Sequence, residues 1–214
     1  MTVGGDTSHV RRLYDEMAGN WRMLGIIDSL LLVKRLRRKH FASAAGEVLD
    51  VGCGTGENFD FLVRADLIAA LDLSPEMTLE AKRRAGEIGK RVALLAGDAQ
   101  LMPFPDDRFD TVISAFSSCT FPDYAAAFRE MVRVTRPGGR ILLLEHGRSS
   151  FGPIARRQNR KSRRIYERSG CRNNRVVLAD LAEAGLAPTA HVVSRLGTMS
   201  RIVIDVDRKD GVRI

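Results

Sequence analysis

Seven short apolar runs punctuate the chain: "GEVLDV", "DLIAALDL", "RVALLA", "FDTVIS", "RILLLE", "AHVVSR" and "RIVIDV". Several are unbroken rather than alternating. A strand with one wet face alternates apolar and polar residues, so an unbroken run implies cover on both faces. Between the runs lie stretches of helical length at 57–63, 75–88, 124–135 and 175–184. Ser74 before Pro75 supplies a capping hydroxyl, followed by a residue with no N–H to leave unbonded. The Pro-Gly-Gly of "TRPGGR" ends the stretch that starts at Tyr124. Strand alternating with helix predicts an α/β fold, a doubly wound and mostly parallel sheet. The last two runs are joined by the short turn "LGTMS", which predicts an antiparallel strand pair at one edge.

Two helices are expected before the first strand, His9–Asn20 and Arg22–His40; in the latter Leu24, Ile27 and Leu31, with Ile26, Leu30 and Val33, recur every three or four residues. No repeat and no linker rich in Gly, Ser or Pro divides the 214 residues. One compact domain is predicted: 1–45 as a helical lid or substrate segment, 46–214 as a single Rossmann-like ligand-binding unit.

The N-terminus is polar and lacks a secretory apolar core. The longest apolar stretch, Met23–Val33, has 11 residues and contains Asp28, against the roughly 20 that span a bilayer. A cytoplasmic protein, soluble or peripheral at a membrane, is expected. Cys53, Cys119 and Cys171 have no paired spacing, which argues against a disulfide framework and a zinc site and predicts free thiols in a reducing compartment. The net charge is +8, and the window Arg156–Arg175 alone, with nine Lys/Arg against Glu167, accounts for it. "KRLRRK" (Lys34–Lys39) adds five more, so the rest of the chain is mildly acidic. Two cationic segments on an acidic body differ from a diffuse solubility charge.

The first apolar run leads into "VGCGTGEN", where Gly52, Gly54 and Gly56 bring backbone close to whatever lies beyond the strand. In an open parallel sheet that place is the ligand crevice. A dinucleotide fingerprint is G-x-G-x-x-G; here it is G-x-G-x-G, with Glu57 where the third glycine would fall. Glu57 and Asp50 would repel a pyrophosphate. S-adenosylmethionine, with an ammonium, a sulfonium and no phosphate, fits such a turn.

"VLDVGCGTGENF", "ALDLSPEM", "GDAQLMPFPDDRFDTVIS" and "RVTRPGGRILLLE" occur in that order over residues 46–145. As a set they resemble the successive motifs of class I S-adenosylmethionine-dependent methyltransferases. The resemblance implies that Asp50 lies near the methionine ammonium, that Gly52, Cys53, Gly54, Thr55 and Gly56 follow the amino acid and ribose, and that Asp72 with Leu73 meets the ribose hydroxyls. The 20 residues between Gly52 and Asp72 suit a ribose acid. Gly97, Asp98 and Ala99 in "GDAQ" are implied to meet adenine, with Ser114 nearby and Met77 packed either on adenosine or in the core.

Methyl transfer is an in-line displacement, so the protein supplies positioning, and a base where the acceptor carries a proton; no metal is required. Phe116, Ser117 and Thr120 follow the fourth strand and are expected to line the acceptor pocket. His146, past the fifth strand, is the candidate base, with a structural role as the alternative. Tyr14 resembles the tyrosine that closes over the cofactor in the quinone-biosynthesis branch, and Trp21 stands where a second tyrosine is usual there.

The segment "EHGRSS…GCRNNR…GL…GT" resembles the quinone and lipid methyltransferase branch, including a mitochondrial membrane-associated oxidase-assembly group. That implies a quinone precursor or a phospholipid amine as acceptor. Arg157, Lys161, Arg164 and Arg168 would share one side of a helix. With the apolar-to-cationic segment before His40, they suit an anionic membrane surface. The alternatives are a solvated helix face with a soluble small-molecule O- or N-methyltransferase, and an RNA methyltransferase tracking phosphates. Against RNA, the chain lacks an Asn/Asp-Pro-Pro-Tyr-like motif and any appended RNA-binding module.

Overall fold

The structure, a computed structural model, describes residues 7–21, 31–194 and 196–207. Helices α1 (Thr7–Ala18) and α2 (Leu31–Phe41) come first, then β1 (Ala45–Val51), β2 (Arg64–Asp72), α3 (Pro75–Glu87), β3 (Val92–Ala96) and β4 (Phe109–Ala115). They are followed by α4 (Tyr124–Val134), β5 (Thr135–His146), α5 (Gly152–Ser169), α6 (Val177–Glu183), β6 (Ala190–Val193) and β7 (Met199–Val206). One sheet holds the strands in the order β3-β2-β1-β4-β5-β7-β6. The first five run parallel. β7 inserts antiparallel between β5 and β6, pairing Gly139 with Val206 and His146 with Met199, and β6 is antiparallel to β7.

The unbroken apolar runs are explained by what covers the sheet. Ile141 and Leu143 of β5 face a core with Leu49, Val112, Phe128, Met131 and Leu181, under α4 and α6. Leu142 and Leu144 face a second core with Val48, Ile113, Phe41, Phe59 and Ala81, under α2 and α3. Neighbouring residues of a strand point to opposite faces, so two covered faces need apolar residues at every position.

The cap expected at Ser74 is formed, and Asp123 forms a second one that the sequence reading did not name. Ser74 accepts the Met77 N–H at 3.1 Å at the start of α3, and Asp123 accepts the Ala126 N–H at 2.8 Å at the start of α4. One prediction fails. Residues 57–63 form no α-helix, only a 3-10 turn at Phe59–Phe61. Tight turns follow one another there, Gly56 N–H to Cys53 O and Phe59 N–H to Gly56 O, with Gly56 at φ +82°. The buried rings of Phe59 and Phe61 fasten this loop to the core. Of the expected helix Arg22–His40, residues 22–30, and with them Leu24, Ile26, Ile27 and Leu30, lie outside the described residues.

α5 is the helix implied by the basic spacing. Arg156, Arg157, Arg160, Lys161, Arg163, Arg164 and Arg168 are all exposed on it. α1 packs on α3 and on α5. Among the described residues, no helix is long and apolar enough to cross a membrane.

Candidate active site

The sheet order reverses at β1, with β2 on one side and β4 on the other, and a crevice forms beyond the carboxyl ends of these strands. The cleft there holds about 890 Å³ of space, its open mouth included. Gly52, Cys53, Gly54 and Thr55 wall one side, Asp72 and Leu73 the next, Gly97, Asp98 and Ala99 the far end. Phe116, Ser117, Thr120, Phe121 and Pro122 close it from the β4 side, and Val10, Tyr14 and Trp21 cover it.

Gly54 shows why the turn needs glycine. It has φ +53°, and a Cβ built on it would meet no protein atom within 4 Å. The space it would occupy is the cleft. Its N–H donates to Asp72 Oδ2 at 2.8 Å, while Asp72 Oδ1 accepts the Ser74 N–H at 2.9 Å. Asp72 therefore stands at the end of β2 held by two amides, with lone pairs left for hydroxyl donors. Burial pushes its carboxyl up to about 6. Asp98 is held differently: its oxygens accept the Gln100 carboxamide at 2.8 and 2.9 Å, and Oδ1 also accepts the Gln100 N–H at 2.8 Å.

Asp50 is fully buried and does not border the cleft. Both of its oxygens accept from the Asn58 carboxamide at 3.0 Å, and burial raises it to about 7. Asn58 Oδ1 in turn accepts from the Arg37 guanidinium. The acid expected beside an ammonium thus stands behind the wall, bonded to Asn58, which lines the cleft together with Arg37 and Glu57. Glu57 pairs with Arg84 at 3.3 Å.

Arg37 and Asn58 were not anticipated. Arg37 was read as one charge of a cationic run, yet it is only 5% exposed. The signal was present in the helical period: Val33, Arg37, His40 and Phe41 form the buried stripe of α2, and four of the five basic residues of "KRLRRK" remain outside it.

Phe116 follows β4 at φ +56°, a conformation costly for a bulky side chain. Its N–H bonds Leu144 O at 2.8 Å, and the Arg37 guanidinium lies over its ring at 5.2 Å. Ser114 is fully buried and outside the cleft wall; it bonds the hydroxyl of Ser117, which does line the cleft. Thr120 donates to Ser117 O at 2.7 Å. Gly56 and Met77 also lie off the wall, Met77 fully buried on α3.

Tyr14 and Trp21 meet with ring centroids 5.7 Å apart. Burial pushes the Tyr14 phenol well above its ordinary value, so it is a neutral hydrogen-bonding group rather than a base. α1 is tied down by Asp15, which accepts from the Ser74 hydroxyl at 2.5 Å. His146, expected as base, does not border the cleft: its Nε2 faces Cys171 Sγ at 3.5 Å, and its ring lies behind Phe116 with centroids 6.1 Å apart. Next to it Glu145, also not anticipated, is fully buried and accepts the Ser118 N–H at 3.3 Å.

The comparisons with known proteins agree with this geometry. The family model of a methyltransferase domain matches residues 49–143. The demethylmenaquinone methyltransferase of Thermus thermophilus is 34% identical over 155 residues, covering 67% of this chain and 70% of that protein. The phosphatidylethanolamine N-methyltransferase of Cereibacter sphaeroides is 32% identical, covering 57% of this chain and 61% of its own. The chain spans between 61% and 70% of the length of the first curated relatives it matches. A solved structure of a putative S-adenosyl-L-methionine-dependent methyltransferase from Methanococcus maripaludis superposes with a TM-score of 0.64 at 22% identity, over 93% of this chain and 96% of that one; at that identity it speaks for the fold. Motif order, cleft and relatives converge: the chain belongs to the class I S-adenosylmethionine-dependent methyltransferases.

Proposed function

We propose that the chain transfers the methyl group of S-adenosylmethionine to a lipophilic acceptor, a quinone precursor or a phospholipid amine, at an anionic membrane surface. The observation that carries this reading is the double contact of α1. Val10 and Tyr14 face the cleft. On the same helix His9 meets Tyr166 of α5, with centroids 5.7 Å apart, and α5 presents seven exposed basic residues to solvent. The cover of the acceptor end and the cationic face are thus one packed unit.

The residues fit the cofactor. Asp72 takes the ribose hydroxyls, and Asp98 with Ala99 the adenine. The open face of Gly54 admits the ligand where a side chain would stand. Arg37, beside Asn58 and Glu57, answers the methionine carboxylate and leaves the acids for the ammonium. Bound there, S-adenosylmethionine supplies a methyl on a sulfonium whose positive charge is lost as the carbon–sulfur bond breaks.

Val10, Tyr14, Trp21, Phe116, Phe121 and Pro122 then exclude water from the acceptor, which favours a reaction that disperses charge. Among the described residues that line this end, Tyr14 is the one titratable group, and it stays neutral. Positioning therefore dominates, and the acceptor brings its own lone pair or an already ionised oxygen.

The test is vesicle co-sedimentation with a labelled-methyl screen against lipid extract, quinone precursors and total RNA. Wild type should pellet with anionic but not zwitterionic vesicles, less so at high salt. The fourfold variant Arg157→Gln, Lys161→Gln, Arg164→Gln, Arg168→Gln should lose about 10³-fold in partitioning, at about 1 kcal/mol per basic residue. Labelling of RNA rather than lipid or quinone would sink the reading.

A further inference from the structure

The sequence spacing of the cysteines gave no reason to expect a ligand cluster, but the fold assembles one. Cys119 sits in the buried 3-10 turn Ser118–Thr120, His146 is the last residue of β5, and Cys171 follows α5. The Sγ atoms of the two cysteines and a ring nitrogen of His146 all lie within 4.8 Å of one another. We propose that Cys119, His146 and Cys171 form a binding site for a thiophilic divalent cation of the zinc class, at the wall of the acceptor pocket.

Donor type and spacing both suit such an ion. Two thiolates and one imidazole are ligands zinc prefers, and the thiolates neutralise its charge in a part-buried place. Zinc–sulfur and zinc–nitrogen bonds of tetrahedral sites put a sulfur and a nitrogen ligand about 3.6 Å apart. His146 Nε2 and Cys171 Sγ stand at 3.5 Å. Three protein ligands leave one position open, as sites that bind a water or a substrate atom do.

The supports of the cluster converge on the same geometry. Gly170 ends α5 in the left-handed conformation at φ +65°, which turns the chain so that Cys171 faces back toward β5. Arg172 N–H donates to Cys119 O at 3.0 Å, and its guanidinium to Phe121 O at 3.0 Å. Arg175 donates to Ser118 O at 3.3 Å, and Glu145 accepts the Ser118 N–H at 3.3 Å. Both cysteine-bearing segments are thus held before any ion arrives, as outer-shell contacts hold ligands in metal sites. Binding displaces the thiol protons to solvent while two sulfur bonds and one nitrogen bond to the cation form.

The site adjoins the pocket. Thr120 and Phe116, on either side of Cys119, border the cleft, and the Phe116 ring lies beside His146. An ion there would lock the loop after β4, which walls the acceptor end, to the segment after α5.

The experiment uses the full chain, reduced and stripped with a chelator, titrated with Co²⁺ and then Zn²⁺. One equivalent of Co²⁺ should bind, with thiolate-to-cobalt absorption in the near ultraviolet and visible bands of tetrahedral intensity, and Zn²⁺ should displace it. Cys119→Ser and Cys171→Ser should each weaken binding by more than the ~10–100-fold that loss of an outer-shell partner causes. Cys53→Ser should bind as wild type does. Zn²⁺ should raise the Tm of wild type and leave that of Cys171→Ser unchanged, and circular dichroism of the metal-free variants shows that they fold. Absence of a one-to-one complex, equal binding by the Cys119 or Cys171 variants, or a Cys119–Cys171 disulfide that takes up no cation in its reduced form would overturn the proposal.

Discussion

The guanidinium of Arg37, on α2, lies over the ring of Phe116, beyond β4, with 5.2 Å from its carbon to the ring centroid. The same side chain donates to Asn58, which holds the buried Asp50. One residue thereby joins the helical cover, the loop after the glycine turn and the acceptor wall.

Replacing Arg37 with methionine keeps much of its packing and removes the charge. Loss of the charged hydrogen bond to the methionine carboxylate should cost about 1.5–3 kcal/mol, or roughly tenfold or more in S-adenosylmethionine affinity by calorimetry. Arg37→Lys should recover little, because an ammonium cannot bridge Asn58 and the ring as a planar fork does. Wild-type affinity in both variants would remove Arg37 from the cofactor site.

Asp72→Asn retains an oxygen for the Gly54 or Ser74 N–H but places an amide where the ribose hydroxyls meet a carboxylate. A charged hydrogen bond is worth about 1.5–3 kcal/mol, so affinity should fall roughly 10–100-fold with little change in fold. Unchanged binding would refute the ribose assignment.

Gly54→Ala adds a methyl group that meets no protein atom, at φ +53°. The conformational cost is about 1–2 kcal/mol, and a fall of a few degrees in Tm should follow. Cofactor affinity should fall disproportionately, because the methyl occupies the ligand's space. A variant that is destabilised yet binds normally would show that the ligand lies elsewhere.

Burial raises Asp50 to about 7 from its ordinary 3.8. The folded state then binds this proton over a range in which the unfolded chain has released it, so stability falls as pH rises from about 4 to about 7 and levels off above. This group contributes at most roughly 4 kcal/mol to that loss. Asp50→Asn should therefore flatten the rise in stability on acidification in urea unfolding of the ligand-free protein. An identical pH profile in the variant would show that Asp50 is ionised in the fold.

Much of the site was legible because its signals are local. Ser74 before Pro75 marks a helix start within two residues, and Gly52, Gly54, Asp72 and Asp98 stand at strand ends that the apolar runs delimit. The 57–63 segment misled because its length and polarity suit a helix, whereas its glycine and aromatic anchors are satisfied by turns. His146 has the chemistry and the strand-end position of a base, but the chain's return after α5 places Cys171 against its ring.

The sequence by itself determined the strands, the two-faced burial of the central ones such as β4 and β5, and the glycine turn after β1, since each depends on side-chain period and on residues a few positions apart. Only the tertiary structure decided that Arg37 turns inward to Phe116 and Asn58, that Asp50 lies buried behind the cleft wall, and that Cys119, His146 and Cys171 meet. Those pairings join segments distant in the chain, and packing, not local preference, chooses which buried polar groups satisfy one another.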